Sequence, residues 1–231
     1  MVEYFVSLMR VRSSIVPEYT RRVEHRCIRE DARVPCVGKV VNHKAEAFSR
    51  ALLANPVVPA VRGPDSALEA ALAGEHAAIF VLGGDIFKVI GRISSQYRRP
   101  QIYVNVDLVG GIAADVSGLR FLSRHVEGII STHRHVIELA KTSGLITIQR
   151  LFAIDSGAVE RGLKLIRRAE PQFVEILPAL AYLEIAERYS AVLDVPVLAG
   201  GLLKSPENIT AILKAGAVGV STSHQGLWNG A

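Results

Sequence analysis

The sequence predicts an α/β fold: a small (β/α)8 barrel of the TIM type with a weakly ordered N-terminal extension. Eight short apolar runs recur from residue 55 onwards, and a stretch with helical spacing follows each run. The runs are rich in β-branched residues and apolar on both faces, which is typical of parallel strands covered by helices. Eightfold alternation of strand and helix indicates a closed barrel.

The predicted strands follow one another along the whole of residues 55–231. They are VVPAV (57–61), AAIFVL (77–82), QIYVNVDL (101–108), EGIIS (127–131), LITIQR (145–150), FVEIL (173–177), VPVLA (195–199) and AVGVS (217–221). Stretches such as SGAVERGLKLIRRA and PENITAILKAG separate them, and several end in Gly, a helix C-terminal signal. An open, doubly wound sheet is the alternative fold, but the number of units favours the barrel.

Residues 1–54 differ in character and are predicted to be a separate, poorly ordered, basic extension of the barrel domain 55–231. They hold ten Lys and Arg against six Asp and Glu, and they show no clean strand or helix period except in KAEAFSRALL (44–53), a candidate short helix. The basic excess of the chain therefore lies mostly in this extension. By net charge alone the barrel does not resemble a nucleic-acid-binding domain.

Composition excludes several classes of protein. Half of the chain is apolar and a fifth is charged, which is typical of a globular domain with a substantial core. No apolar run approaches the length of about 20 residues that a membrane helix needs, and the N-terminus is a poor signal peptide, so we expect a cytoplasmic protein. Cys27 and Cys36, the two cysteines of the sequence, suit neither a metal site nor a disulfide framework.

Polar residues close most of the predicted strands, where barrel ligands bind. Arginines can pair with an anion, and carboxylates and amides can accept from hydroxyl groups, so this ring suits a small anionic ligand that carries hydroxyls. Asp85 is also suited to capping a helix, and Glu175 with Arg150 could form an ion pair that is purely structural. The candidate ligand-binding residues are Arg62, Asp85, Asp107, Ser131, Gln149, Arg150 and Glu175.

The last two strands carry the pattern of a phosphate site. AGGL places Gly200, Gly201 and Leu202 after strand seven, and Ser221, Thr222 and Ser223 end strand eight. Glycines allow the backbone to approach a phosphate closely, and strands seven and eight of such barrels often bind phosphate with their loop amides. The sequence indicates no catalytic group, no metal site and no cofactor.

The segments NVDLVGG, GIIST, TIQRLFAIDS, EILP, AGGL and STS resemble, in order and spacing, the glycerol-3-phosphate responsive antiterminator family. The likeness runs from about Asn55 to Trp228. It implies a barrel that is a regulator and not an enzyme, with glycerol 3-phosphate as its effector and the leader mRNA of glycerol-utilisation operons as its partner. In this reading the glycine and hydroxyl residues of strands seven and eight hold the phosphate, and the polar ring surrounds the glycerol moiety.

The residues themselves give limited support for RNA binding. The helix after strand five carries a candidate RNA-binding ridge of basic residues, namely Arg161, Lys164, Arg167 and Arg168. Arg98–Arg99 and the pair Arg120 and Arg124 are further basic positions, and no aromatic platform is evident beside them. The rivals are a phosphosugar isomerase or lyase with Asp107 or Glu175 as base and a metabolite sensor that signals through another protein. The oligomeric state is not indicated.

Overall fold

A closed barrel of eight parallel strands forms the centre of the protein, a computed structural model of which describes residues 43–229. Each strand pairs with the next along the chain, and the last pairs with the first, so the ring has no free edge. The strands are β1 (Val57–Val61), β2 (Ala78–Val81), β3 (Gln101–Asn105), β4 (Gly128–Ser131), β5 (Ile146–Phe152), β6 (Phe173–Leu177), β7 (Val197–Gly200) and β8 (Gly219–Thr222). The predicted barrel is confirmed.

Helices surround the barrel and are short, which is how this chain accommodates the whole fold. They are α1 (His43–Ala54), α2 (Ser66–Ala73), α3 (Ile86–Ser94), α4 (Val116–Leu122), α5 (Arg134–Thr142), α6 (Ser156–Ala169), α7 (Ala181–Val192) and α8 (Pro206–Lys214). One helix follows each of β1 to β7, whereas β8 is followed by the single 3₁₀ turn Gln225–Leu227. Two-residue strands, Gly84–Asp85 and Val109–Gly110, pair with each other in the loops after β2 and β3.

Aspartate side chains fix where four of the helices begin. Asp65, Asp85, Asp115 and Asp155 precede α2, α3, α4 and α6, and each carboxylate accepts hydrogen bonds from backbone N–H groups of the first turn. Such a cap typically stabilises a helix by about 0.5–2 kcal/mol. The caps therefore fix the ends of four of the loops at the C-terminal end of the barrel.

The barrel interior is a packed core rather than a channel. Side chains alternate along each strand between the interior and the helices. The inward-facing core residues of the strands are Val58, Ala60, Ala78, Phe80, Tyr103, Ile130, Ile146, Ile148, Phe173 and Leu198. Burial raises the pKa of Tyr103 well above its usual value, and the nearby carboxylate of Glu127 adds to this shift.

Helix α1 belongs to the barrel, which corrects the predicted boundary between residues 54 and 55. Phe48 and Leu52 are fully buried in the interior core. The Phe48 ring lies 4.4 Å from that of Tyr103 and 4.9 Å from that of Phe173, so α1 closes the N-terminal end of the barrel. The expectation of weak order for residues 1–42, and the two cysteines, lie outside the described residues.

None of the helices in the described part of the chain combines the length and the apolarity that a membrane crossing requires.

Candidate functional site

Strand alternation identifies the side chains that form the C-terminal mouth of the barrel. The residue two positions beyond an inward-facing core residue faces the same way. Ile148 is thus followed by Arg150, Phe173 by Glu175, and Leu198 by Gly200. The inward layer at the mouth is Arg62, Leu82, Asn105, Thr132, Arg150, Glu175, Gly200 and Ser221.

Glu175 is the centre of a buried polar network in this layer. It is 1% exposed, and its carboxylate accepts a hydrogen bond from Arg150 Nε at 2.8 Å and from Ser221 Oγ at 2.6 Å. Arg150 Nη2 lies 2.7 Å from the same carboxylate as an ion-pair contact. The expected pairing of Glu175 with Arg150 is therefore present, and Ser221 extends it across the barrel to β8.

The glycine pair at the end of β7 is followed by a loop residue with a strained backbone. A Cβ at Gly200 would overlap Ser221 Oγ and would lie 2.7 Å from Glu175 Oε1, so the network requires glycine there. Gly201 has a φ of +79°. Leu202 follows with a φ of +58° and a 71% exposed side chain, a backbone region that non-glycine residues adopt at a cost. Such strain is typical of ligand-binding loops.

Several backbone N–H groups at this end of the barrel lack an acceptor among residues 43–229, and two of them lie close after β7 and β8. These two belong to Leu202, after β7, and to Ser223, after β8. Because β7 and β8 are neighbours, with Gly200 in register with Ser221, the two loops lie side by side. An anion in front of them would supply the acceptor that each N–H requires.

Helix α8 contributes less to an anion site than its position suggests. Hydrogen bonds from Ser205 and from its own backbone hold the pKa of Glu207 below its usual value. Its carboxylate thus carries negative charge in the first turn of α8 and competes with a bound anion. The Lys204 N–H, in turn, donates to Asn208 Oδ1 at 3.4 Å. The loop amides, rather than the first turn of α8, are therefore the candidate donors to an anion.

Asp107 lies in the turn after β3, which ends at Asn105 and not at Asp107 as predicted. Its carboxylate accepts from Ser131 Oγ at 2.6 Å, from Thr132 N–H at 2.7 Å and from Thr132 Oγ1 at 2.9 Å. These bonds fasten the β3 loop to the end of β4. Both oxygens of Asp107 are occupied by neighbouring protein groups.

Three predicted site residues face the surrounding helices and not the barrel interior. Ser131 precedes the inward-facing Thr132, Gln149 precedes Arg150, and Thr222 follows Ser221, so each has the opposite orientation. Ser131 binds Asp107, and Thr222 Oγ1 accepts from the His224 N–H at 3.1 Å. Gln149 is 2% exposed, and its Oε1 has no partner within the described chain. The ligand contacts expected of Ser131 and Gln149, and the phosphate contact expected of Thr222, stay predictions.

Two further predicted residues, Asp85 and Arg62, lie at the mouth in different environments. Asp85 caps α3 by accepting from the N–H groups of Phe87 and Lys88, at 2.9 and 3.1 Å, which is the alternative role considered above. Arg62 is exposed on the inward side of β1 and has no ion-pair or hydrogen-bond partner in the part of the chain that is described. It is therefore a cation at the mouth that is available to a ligand.

Sequence reasoning missed Asn105, which faces inward at the mouth as Thr132 does. Asn105 is 1% exposed, and its Oδ1 accepts from the Asp107 N–H at 3.0 Å. Its position two residues beyond Tyr103 is the signal that would have found it, because the two side chains share a face.

Metal binding has no support in the described residues: no cluster of three His, Cys, Asp or Glu side chains is placed to hold an ion between positions 43 and 229.

The predicted basic ridge lies on α6, where all four cationic side chains are exposed. Arg161, Lys164 and Arg168 are three, four and seven residues apart and share one stripe of the helix. Arg167 lies off this stripe and leans towards α7, where its guanidinium donates to the Val192 carbonyl at 3.4 Å. The ridge is thus a stripe of three cations with Arg167 at its side.

Comparisons with known proteins agree with this geometry. The chain is 30% identical to the uncharacterised protein YgcP of Escherichia coli K12 over 178 residues, covering 75% of this chain and 92% of the relative. A crystal structure of a glycerol uptake operon antiterminator regulatory protein from Listeria monocytogenes shares 30% identity, with a TM-score of 0.69 over 76% of this chain and 95% of that one. An antiterminator-related protein from Thermotoga maritima shares 27% identity, with a TM-score of 0.66 over 75% and 98%.

The family model described as "Glycerol-3-phosphate responsive antiterminator" matches residues 57–228, which span the barrel from β1 to the tryptophan after the 3₁₀ turn. This chain belongs to the glycerol-3-phosphate responsive antiterminator family.

Proposed function

We propose that this protein binds glycerol 3-phosphate at the C-terminal mouth of its barrel and, in response, binds the leader mRNA of glycerol-utilisation genes to prevent early transcription termination. The observation that carries the ligand part is the pair of unpaired N–H groups at Leu202 and Ser223, on the adjacent loops after β7 and β8. A phosphate group accepts hydrogen bonds from backbone donors of this kind. Membership of the antiterminator family supports the regulatory part.

The mouth also offers groups for the glycerol moiety. Arg62 and Asn105 face inward on β1 and β3, and Glu175 with Arg150 lines the opposite strands. Hydroxyl groups can donate to the amide and carboxylate oxygens, while the arginines add positive charge. In this proposal Gly200 and Ser221 keep the phosphate end of the ligand in contact with the buried network.

The site favours a regulator over an isomerase or lyase. The carboxylates of Asp107 and Glu175, the two candidate bases, each accept hydrogen bonds from two or more groups of the protein. These hydrogen bonds give both carboxylates a structural role that does not depend on catalysis.

For RNA, we propose that the exposed stripe of α6 contacts phosphates of the leader. Arg161, Lys164 and Arg168 present three positive charges on one face. Contacts of this kind are electrostatic and weaken steeply as salt rises.

A gel-shift assay with leader RNA tests the proposed function. We expect purified protein to retain the RNA only when glycerol 3-phosphate is added, without turnover of glycerol or triose phosphates. The triple variant Arg161→Glu, Lys164→Glu and Arg168→Glu should lose RNA retention and keep calorimetric binding of the ligand. Ligand binding with no RNA shift would instead indicate a sensor that acts through another protein, and turnover would indicate an enzyme.

A further inference from the structure

Three basic segments that lie far apart in the sequence meet at the N-terminal face of the barrel, opposite the candidate ligand site. The α3–β3 loop brings Arg98 and Arg99, the end of α4 brings Arg124 and His125, and α1 brings Lys44. A cavity of about 320 Å³ lies between them. Its walls are Lys44, Ala47, Arg99, Gln101, Ser123, Arg124, His125, Val126, Glu127 and Ile146.

The acidic group in this cavity is already neutralised. Glu127 accepts from Arg99 Nη1 at 2.9 Å and from the Ile102 N–H at 2.7 Å. Arg99 Nη2 donates to the His125 carbonyl at 2.9 Å, which fixes the guanidinium against the wall. Because Arg99 pairs with Glu127, Arg124 adds a positive charge to the cavity that Glu127 does not offset, and the site suits an anion.

A fully exposed aromatic side chain lies in the same loop as Arg99, one of the wall residues of this cavity. Tyr97 is 99% exposed and lies two residues before Arg99 in the loop. A bare aromatic ring next to cationic side chains is the arrangement on which unpaired bases stack while their phosphates contact the cations. The sequence analysis found no aromatic platform, because Tyr97 stands alone in its segment and the other basic groups come from elsewhere.

Hydrogen bonds join the cavity to the basic stripe of α6. Lys44 Nζ donates to the Gly144 carbonyl at 3.2 Å, just beyond the end of α5. From the last turn of α5, Lys141 Nζ donates to the Ala169 and Glu170 carbonyls at the end of α6, at 2.8 and 3.0 Å. Arg168 lies in that same last turn of α6. A track of cations thus runs from Arg168 through Lys141 and Lys44 to Arg124 and Arg98.

We propose that this track is a binding site for single-stranded RNA, with one nucleotide in the cavity between α1 and α4 and a base stacked on Tyr97. The inference rests on the proposed function, since it names the surface that would take the leader. The cavity volume lies within the range of small-ligand pockets. Because the track and the mouth occupy opposite ends of the barrel, effector and RNA can be bound at the same time.

Fluorescence anisotropy with a short labelled oligouridylate and the full-length protein tests this site without requiring the natural transcript. Tyr97→Ala should weaken binding about tenfold, since stacking on one aromatic ring has this order of effect. Arg124→Ala should weaken binding and should reduce the slope of log affinity against log salt by about 0.7, which corresponds to one lost phosphate contact. Lys88→Ala, an exposed cation on α3 outside the track, is the matched control and should change neither quantity.

Calorimetry with glycerol 3-phosphate shows whether each variant is folded, and the fully exposed Tyr97 provides a variant with little risk to folding. Wild-type affinity and salt slope in both Tyr97→Ala and Arg124→Ala would overturn the RNA track, as would a wild-type protein that does not bind the oligonucleotide. If the variants behave as expected but leader RNA binding does not respond to glycerol 3-phosphate, the proposed function fails while the track stands.

Discussion

Gly200 shows how one missing side chain can decide whether a site exists. Its Cα lies against the hydrogen bond between Ser221 and Glu175, where an ideal Cβ would overlap the hydroxyl. The buried carboxylate needs both of its partners, because a buried charge that loses one is strongly destabilising. The smallest residue at this position therefore maintains the polar network beneath the candidate phosphate loops.

The variant Gly200→Ala, which adds a single methyl group, tests this interpretation. We expect the variant to lose about 1–3 kcal/mol of unfolding free energy through overpacking and to bind glycerol 3-phosphate at least about tenfold more weakly, a change of about 1.4 kcal/mol in binding free energy. Urea unfolding and isothermal titration measure the two effects.

Gly91→Ala is the matched control. Gly91 lies in α3, and a Cβ there would meet nothing within 4 Å. This variant should gain about 0.4–1 kcal/mol through the lower entropy of its unfolded chain. If Gly200→Ala matched Gly91→Ala in stability and ligand affinity, close packing around the network would not explain the glycine.

For single residues, the sequence identified the polar groups near the mouth better than it identified the direction in which each side chain faces. Arg150, Glu175, Gly200 and Ser221 were expected at the mouth, and the structure brings them together. Ser131, Gln149 and Thr222 were chosen as candidate site residues because they lie at the ends of apolar runs. The face of a polar residue at a strand end depends on its phase relative to the core residues, and the composition of a strand that is buried on both faces does not reveal that phase.

Among the elements, α1 has the most consequence for the stability of the barrel. Its residue Phe48 has no exposed surface and packs on Tyr103 and Phe173 in the interior core. A barrel core needs a cover at the end opposite the candidate ligand mouth, and this helix provides it. Helical spacing in KAEAFSRALL was visible in the sequence, but what the apolar stripe covers depends on contacts with strands that lie far along the chain.

Phe48→Ala should therefore destabilise the barrel by about 3–5 kcal/mol, the typical result of removing a buried aromatic ring. The control is Leu53→Ala in the same helix, because Leu53 is 56% exposed and exposed substitutions usually change stability by less than about 0.5 kcal/mol. Denaturant unfolding of both variants measures the difference. Equal, small changes in the two proteins would mean that α1 does not close the barrel.

For the whole molecule, the order of strands and helices could be predicted from the sequence, whereas the surfaces that distant segments form together could not. Eight strands could be placed from sequence because burial on both faces gives each run a distinctive composition. The basic segments around Arg98, Arg124 and Arg168 looked like separate, solvated positions. In our proposal they form one surface, because closure of the barrel brings the ends of α3, α4 and α6 to one face.

Closure of the barrel also places two different sets of polar groups at opposite ends of the molecule. Loop amides, Arg62 and the network of Glu175 lie at the C-terminal end of the strands. The cations around the cavity of Lys44 and Arg124 lie at the N-terminal end. In the proposed function the protein holds a small anion and a large polyanion together, and positive charge placed away from the ligand mouth avoids competition between them.

Isothermal titration of the wild-type protein with glycerol 3-phosphate and with glycerol tests the central claim most directly. If the amides of Leu202 and Ser223 hold the phosphate, glycerol 3-phosphate should bind at least about 100-fold more tightly than glycerol, since charge-assisted hydrogen bonds each contribute about 1.5–3 kcal/mol. Equal affinity for the two compounds would show that the phosphate contributes nothing and would contradict the account.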